Sequence, residues 1–464
     1  MYNKYKKLFK DTIIFAIGGI GSKLILFFLV PLYTNYLSTD EYGIADLIFT
    51  ISQFIIPFVS LVIFDAVVRF ALSKSEKKED VLLCSLVVWG IGSLVTILLT
   101  PIIGLYAPIA NWKWHLCIYV IINILMSIEL NYLKAKEQNK LYAIISIAQT
   151  LAMALSNILF IVIIPLGING YVLAQIIGNL IAAMGIFIFG KIYRDIRNAK
   201  FSSSLLKRML FFSAPLVLNN VSWWAIHSAN KIIVELMLGA SVLGIYTVAT
   251  KMPSLINVLI SIFQQSWGIS SVKEIESSND SKFYSNIFDV FSFIAFSMGI
   301  GLILIIKPLM TVYVGESFVE AWKYIPLLLA SATFSAISSY FVSLYSALKK
   351  SINNMITTLI GAIANVIVSL VLVNYIGLWG AILGTFAAYF IMGIIRMIDT
   401  TRFVKMKIDI GRFIISSIIL ITQAALVSLE IHIYLVSAIA IVLFVAINFK
   451  FLKSFMGQLR GRKA

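Results

Sequence analysis

Lys23, Lys231 and Lys251 each fall inside a long apolar run of the sequence. No acid lies within a helical turn of Lys23 or Lys251. A charge inside a bilayer costs about 2.5–3.5 kcal/mol on an insertion scale, so such residues face a cavity or a partner. Two readings are open for each lysine. It neutralises an anionic group such as a pyrophosphate in a cleft, or it snorkels or pairs with a distant acid. Arg69, just after an apolar run, either meets the same anion at a cleft mouth or anchors the end of a span. Asp46, Asp65, Glu129 and Asp289 are the acids singled out near or inside the runs. Asp46 and Glu129 are the candidates for carrying a coupling ion or pairing with the lysines, while Asp65 and Asp289 read as solvated at span ends. Asn219, Asn220, Trp223 and Trp224 place amides and aromatic faces in one run, a combination that reads sugar hydroxyls. The same groups also serve as interhelical hydrogen bonds and packing.

Other patterns carry no chemistry. Gly18-Gly-Ile-Gly21-Ser22-Lys23 has the wrong spacing for a phosphate loop and no preceding strand. Asn220-Val-Ser222 matches a glycosylation sequon but lies within a run. His115, His227 and His432 lack metal-ligand spacing. Cys84 and Cys117 make neither a disulfide framework nor a metal motif. No nucleotide or other cofactor motif is found. Trp112, Trp114, Trp322 and Trp379 read as an outer aromatic belt.

The elements that position these residues follow from composition. The chain has 464 residues, 60% hydrophobic and 12% charged, with a net charge of +16. A soluble chain carries about 25% charged residues. Apolar runs occur near 11–32, 43–65, 81–100, 116–133, 141–163, 168–190, 211–237, 242–264, 287–306, 325–346, 354–373, 378–396, 413–429 and 433–449. Each is about 20 residues long, enough for the ~30 Å core of a bilayer. The expectation is an all-α polytopic membrane protein of fourteen transmembrane helices. The first run is too long for the apolar core of a signal peptide. Soluble enzymes, disordered regulators and secreted disulfide scaffolds are excluded. Nucleic acid is not an expected partner, since no soluble segment is long enough to present a basic face.

The positive charge instead marks topology. Of 37 Lys and Arg, 31 fall in the two tails and the even-numbered loops, 3 in odd-numbered loops and 3 inside runs. Arg396 and Arg412 are counted in the last cytoplasmic loop. The positive-inside rule then puts both termini in the cytoplasm, with attraction to anionic lipids as a second effect.

The chain repeats weakly. An offset of 201 puts Leu37, Gly43 and Ile44 on Leu238, Gly244 and Ile245. An offset of 210 puts Gly167-Ile-Asn-Gly170 on Gly377-Leu-Trp-Gly380. Leu133-Lys134-Ala-Lys136 echoes Leu348-Lys349-Lys350. Two six-helix pseudo-symmetric lobes are expected, over 1–200 and 201–400, with two further helices and a basic tail over 401–464. Same-orientation halves enclose a cleft suited to alternating access.

Several of these residues also carry a resemblance. They are Gly18, Gly19 and Gly21, then Leu37-Ser38-Thr39-Asp40-Glu41-Tyr42-Gly43, Val68-Arg69-Phe70, Pro215, Lys231, Gly239, Gly244-Ile245-Tyr246 and Lys251. With them the chain resembles the Wzx-type polysaccharide-biosynthesis flippases of the multidrug/oligosaccharidyl-lipid/polysaccharide exporter superfamily. It departs at Asn230, where that group usually carries an acid. The resemblance implies a bacterial inner-membrane flippase for an undecaprenyl-pyrophosphate-linked oligosaccharide such as an O-antigen or capsule unit. It implies no enzyme and no cofactor. Membrane lipids, a polysaccharide polymerase and chain-length proteins are the implied partners. A peptidoglycan-precursor flippase or a drug or cation exporter of the same superfamily are the alternatives. A membrane polymerase or glycosyltransferase fits less well, because its long or acidic outer loop is missing.

Overall fold

The computed structural model describes residues 25, 27–73, 76–277, 281–348 and 350–461. Among them are sixteen α-helices and no strand. Twelve helices are long and apolar enough to cross a bilayer. Each coincides with one of the expected spans. The expected first span lies mostly outside the described residues. The expected eighth, 242–264, is divided into helices Ala240–Lys251 and Ser254–Ser277. Pro253 stands in the break, where it has no N–H to continue the ladder.

Local signals explain the boundaries. Helix Thr39–Ser60 starts with a capping box: the Glu41 N–H donates to Ser38 Oγ (3.2 Å), and the Ser38 N–H donates to Glu41 Oε2 (2.9 Å). This is the physical content of the Leu37-Ser38…Glu41 motif. The helix stops at Leu61 and Val62, both left-handed (φ 48° and 53°). A separate helix, Ile63–Ala71, then carries Arg69. The expected 43–65 span is thus two pieces.

The 210-residue echo is structural. Gly167 (φ 57°, ψ −130°) and Gly377 (φ 57°, ψ −136°) open helices Ile168–Phe189 and Leu378–Thr401 with the same backbone. That conformation suits glycine. Three residues on, a Cβ at Gly170 would meet the Phe160 carbonyl oxygen at 2.3 Å, and one at Gly380 would meet the Val373 nitrogen at 2.3 Å. Each glycine lets its helix lie against the preceding one.

The chain divides into two compact units. The first is Met1–Glu235 with Ala240–Gly244, and the second is Leu236–Gly239 with Ile245–Ala464. Helix Ser203–Leu238, expected to open the second lobe, groups almost wholly with the first unit. In the first unit, Lys113–Ala135 packs against Ile63–Ala71, Lys78–Ile103 and Ile168–Phe189, and the last also lies along Asn139–Asn157. In the second, Ile325–Ala347 is the central helix, touching Ser254–Ser277, Ser281–Tyr313, Leu378–Thr401 and Ile410–Ser428. Helices Ser351–Ile376 and Leu378–Thr401 form a close pair, and Ile433–Gly461 packs on Ser281–Tyr313 and Ile410–Ser428.

Candidate functional site

Helix Ser203–Leu238 carries the densest set of candidates. Asn219, Trp223, His227 and Lys231 follow at four-residue steps, which is one ridge of an α-helix. Trp223 and His227 stack, with centroids 5.7 Å apart and planes 11° from parallel. Lys231 Nζ lies 2.6 Å from Asp46 Oδ2 on helix Thr39–Ser60, with side chains only 15% and 7% exposed. Two sequence candidates therefore meet each other: the counter-charge of Lys231 is Asp46. Asn230, at the usual acidic position, is buried. Glu235 continues the same ridge and accepts a hydrogen bond from the Tyr106 hydroxyl.

The neighbouring face of this helix does something else. Trp224 donates its indole N–H to the Thr50 carbonyl (2.9 Å) and sets its ring 4.6 Å from Phe54. Asn220 donates to the Leu216 carbonyl of its own helix (3.0 Å). Of the four sugar-contact candidates, Asn219 and Trp223 share the ridge of Lys231, Trp224 joins two helices and Asn220 bonds within its own. The sequence reading sets His227 aside as no metal ligand and does not single out Glu235. Their spacing of four from Lys231 was the available signal.

Glu129 is 2% exposed, and its Oε2 has no hydrogen-bond partner among the described residues. It sits in the interior of the first unit on helix Lys113–Ala135. Arg69 is exposed and lines an open cleft with Arg208. Lys251, half-buried, is the last residue of helix Ala240–Lys251 and belongs to the second unit. Lys23 lies outside the described residues.

Three assignments are corrected. Arg396 is no loop residue: it is 1% exposed within helix Leu378–Thr401. Its Nε donates to Thr357 Oγ1 (3.0 Å), Nη1 to Ser338 Oγ (2.8 Å), and Nη2 to Thr358 Oγ1 (2.7 Å) and Asn354 Oδ1 (2.8 Å). Among the described residues no carboxylate pairs with it. Asp289 is not merely solvated, because Arg412 donates to it. Trp322, expected at the outer belt, is 4% exposed, with Lys307 Nζ 4.6 Å over its ring.

The 201-residue echo also acquires a geometry. A Cβ at Gly43 would meet the Ala240 carbonyl oxygen at 2.2 Å, and a Cβ at Gly244 would meet that of Thr39 at 2.1 Å. Thr39 Oγ1 and Ser241 Oγ are 2.7 Å apart. Positions 39 and 240, like 43 and 244, are repeat equivalents, so the two close approaches mirror each other. Gly43→Ala or Gly244→Ala should oppose the contact by about 1–3 kcal/mol, the usual overpacking cost. Cross-linking of a Thr39→Cys/Ser241→Cys pair measures it: the yield should fall on adding either alanine and hold on adding Gly301→Ala, which meets nothing within 4 Å. An unchanged yield with Gly43→Ala would refute the steric reading.

The model of one family, described as polysaccharide biosynthesis protein, matches residues 8–268. The chain belongs to that family. As a polysaccharide biosynthesis protein, it is 21% identical over 262 residues to an Lsg locus protein of Haemophilus influenzae. That alignment covers 55% of this chain and 63% of the relative, so it spans less than two thirds of the relative's length. Its fold is similar to that of the lipid II flippase MurJ in an inward closed conformation, with a TM-score of 0.66 at 17% identity. The match covers 96% of this chain and 100% of that one. It is also similar to a multidrug resistance MATE family transporter of the MOP superfamily, inward-facing, with a TM-score of 0.65 at 14% identity over 82% and 98% of the two chains. At such identities the likeness concerns the fold. The motif resemblance of this polysaccharide biosynthesis protein therefore holds at the level of family and fold, and the chain is a multi-span membrane protein of that family.

Proposed function

We propose that the chain is a flippase. It moves an undecaprenyl-pyrophosphate-linked oligosaccharide from the inner to the outer leaflet of the bacterial cytoplasmic membrane by alternating access. The observation that carries this reading is the polysaccharide-biosynthesis family on a transporter fold. The ridge of Asn219, Trp223 and His227 leading to Lys231 supports it, because it sets an amide and stacked rings beside a cation. Both termini are cytoplasmic in this reading. The two repeat halves act as the rocking lobes, with the last two helices appended. Lys23, Lys251 and Arg69 meet the pyrophosphate and Glu129 takes a coupling proton. No cofactor or catalytic residue is involved. A polymerase and chain-length proteins take the product.

The likeness to MurJ favours one second reading, a flippase for a peptidoglycan lipid precursor. Reconstitution into liposomes with fluorescent lipid-linked substrates separates the two. Flipping of an undecaprenyl-pyrophosphate oligosaccharide but not of lipid II supports the proposal, and the opposite result selects the second reading. Lys23→Ala and Lys251→Ala should each slow flipping about 10–100-fold, the worth of one charge-assisted hydrogen bond. If both variants flip at the wild-type rate, the cationic mechanism is wrong.

A further inference from the structure

The left-handed break at Leu61 and Val62 sets Arg69 on its own short helix, at the end of the second expected span. Arg69 and Arg208 there line one open cleft with Phe70, Leu72 and Ser73. The cleft holds about 340 Å³, within the ~300–1,000 Å³ range of small-ligand sites. Arg208 is set from one side: Nη2 lies 2.8 Å from Glu76 Oε1, and Nε donates to the Ser204 carbonyl (3.4 Å). Arg69 is exposed, with no ion-pair partner among the described residues. Phe70 and Leu72 give the wall an apolar part and Ser73 a polar one. Leu72 is 54% exposed, and Phe70 meets Phe212 edge to face at 6.0 Å. Phe211, beside it, is 85% exposed.

An arginine that only anchors a span end needs neither a cavity nor a second arginine. Guanidinium groups match phosphate oxygens with a fork of donors. A phosphate attached to a lipid chain presents both charge and hydrocarbon, and this cleft is lined by both arginines and apolar side chains. We propose that Arg69 and Arg208 form a binding site for the phosphate headgroup of a membrane lipid, with Phe70 and Leu72 against the first carbons of its chain. Two sources share that chemistry: the diphosphate carrier of the proposed substrate and a bulk anionic phospholipid. In its carrier form the inference rests on the transport reading above.

The test uses the full-length protein in phosphatidylcholine nanodiscs. Undecaprenyl diphosphate and phosphatidylglycerol are titrated separately, and binding is read by native mass spectrometry. Arg69→Gln/Arg208→Gln should weaken binding at least about tenfold, for the loss of two charge-assisted contacts. Arg197→Gln, an exposed arginine outside the cleft, should bind as wild type. Weakening with undecaprenyl diphosphate alone supports the site and names the carrier. Weakening with phosphatidylglycerol alone supports it and names the bulk lipid, and weakening with both supports a general phosphate site. No change with either lipid overturns the proposal, as does an equal loss in Arg197→Gln. If the wild type binds but never flips its lipid, the transport reading fails and the binding arms still decide the site.

Discussion

Asp46→Asn should destabilise the protein by about 3–5 kcal/mol, the cost of leaving one member of a buried ion pair uncompensated. Lys231→Met should cost a similar amount. The two charges lie 2.6 Å apart, and both side chains are largely buried. Each alone would have to be desolvated without repayment. In the Asp46→Asn/Lys231→Met double variant no charge remains to be stranded, so most of the loss should be recovered. Thermal or denaturant unfolding in detergent gives the cycle. Strictly additive losses would mean that the pair is not coupled. The double variant also separates structure from transport. If Lys231 serves only to balance Asp46, the double variant flips substrate normally. If Lys231 also meets the substrate's charge, the variant is stable and inactive.

Arg396→Ala should cost about 2–5 kcal/mol, the range for truncating a large buried side chain. Arg396 joins three helices of the second unit, since its acceptors Ser338, Asn354, Thr357 and Thr358 lie on Ile325–Ala347 and Ser351–Ile376. Ser338 Oγ and Asn354 Oδ1 would each lose the hydrogen bond that Arg396 gives them, while the two threonines keep one. Thr357 and Thr358 already donate to the Asn354 carbonyl, at 3.0 and 2.8 Å. The loss is the guanidinium's own hydrogen bonds and the space it fills. Arg396→Lys keeps the charge but loses the planar fork, so it should restore little. A melting temperature for Arg396→Ala equal to the wild type's would remove Arg396 as the fastener of these helices.

Lys231 and Asp46 are each conspicuous as charges in apolar runs, but nothing local says that they are partners. Pairing joins helices Thr39–Ser60 and Ser203–Leu238, which are remote in sequence. Arg396 was concealed by its position near the end of an apolar run, where a basic residue ordinarily marks the cytoplasmic side. Only the hydroxyls of two other helices show that it is inside. Trp223 and Trp224 make the same point one residue apart. A rotation of about 100° along the helix puts one ring on the ridge of Lys231 and the other on the Thr50 carbonyl.

Twelve helical spans among the described residues, and the glycine echoes, are legible in one dimension, whereas the breaks at Leu61–Val62 and Pro253 are not. Span length is a one-dimensional property, set by the thickness of hydrocarbon that each run must match. Capping at Ser38 and Glu41 and the backbone at Gly167 and Gly377 depend on residues a few positions apart. Which charges pair, which amides face their own helix, and that Arg69 shares a cleft with Arg208 emerge only once the helices are packed. Those outcomes rest on the rotation and neighbours of each helix. In a membrane protein nearly every face is apolar, so the pattern that would announce a buried side in water is missing.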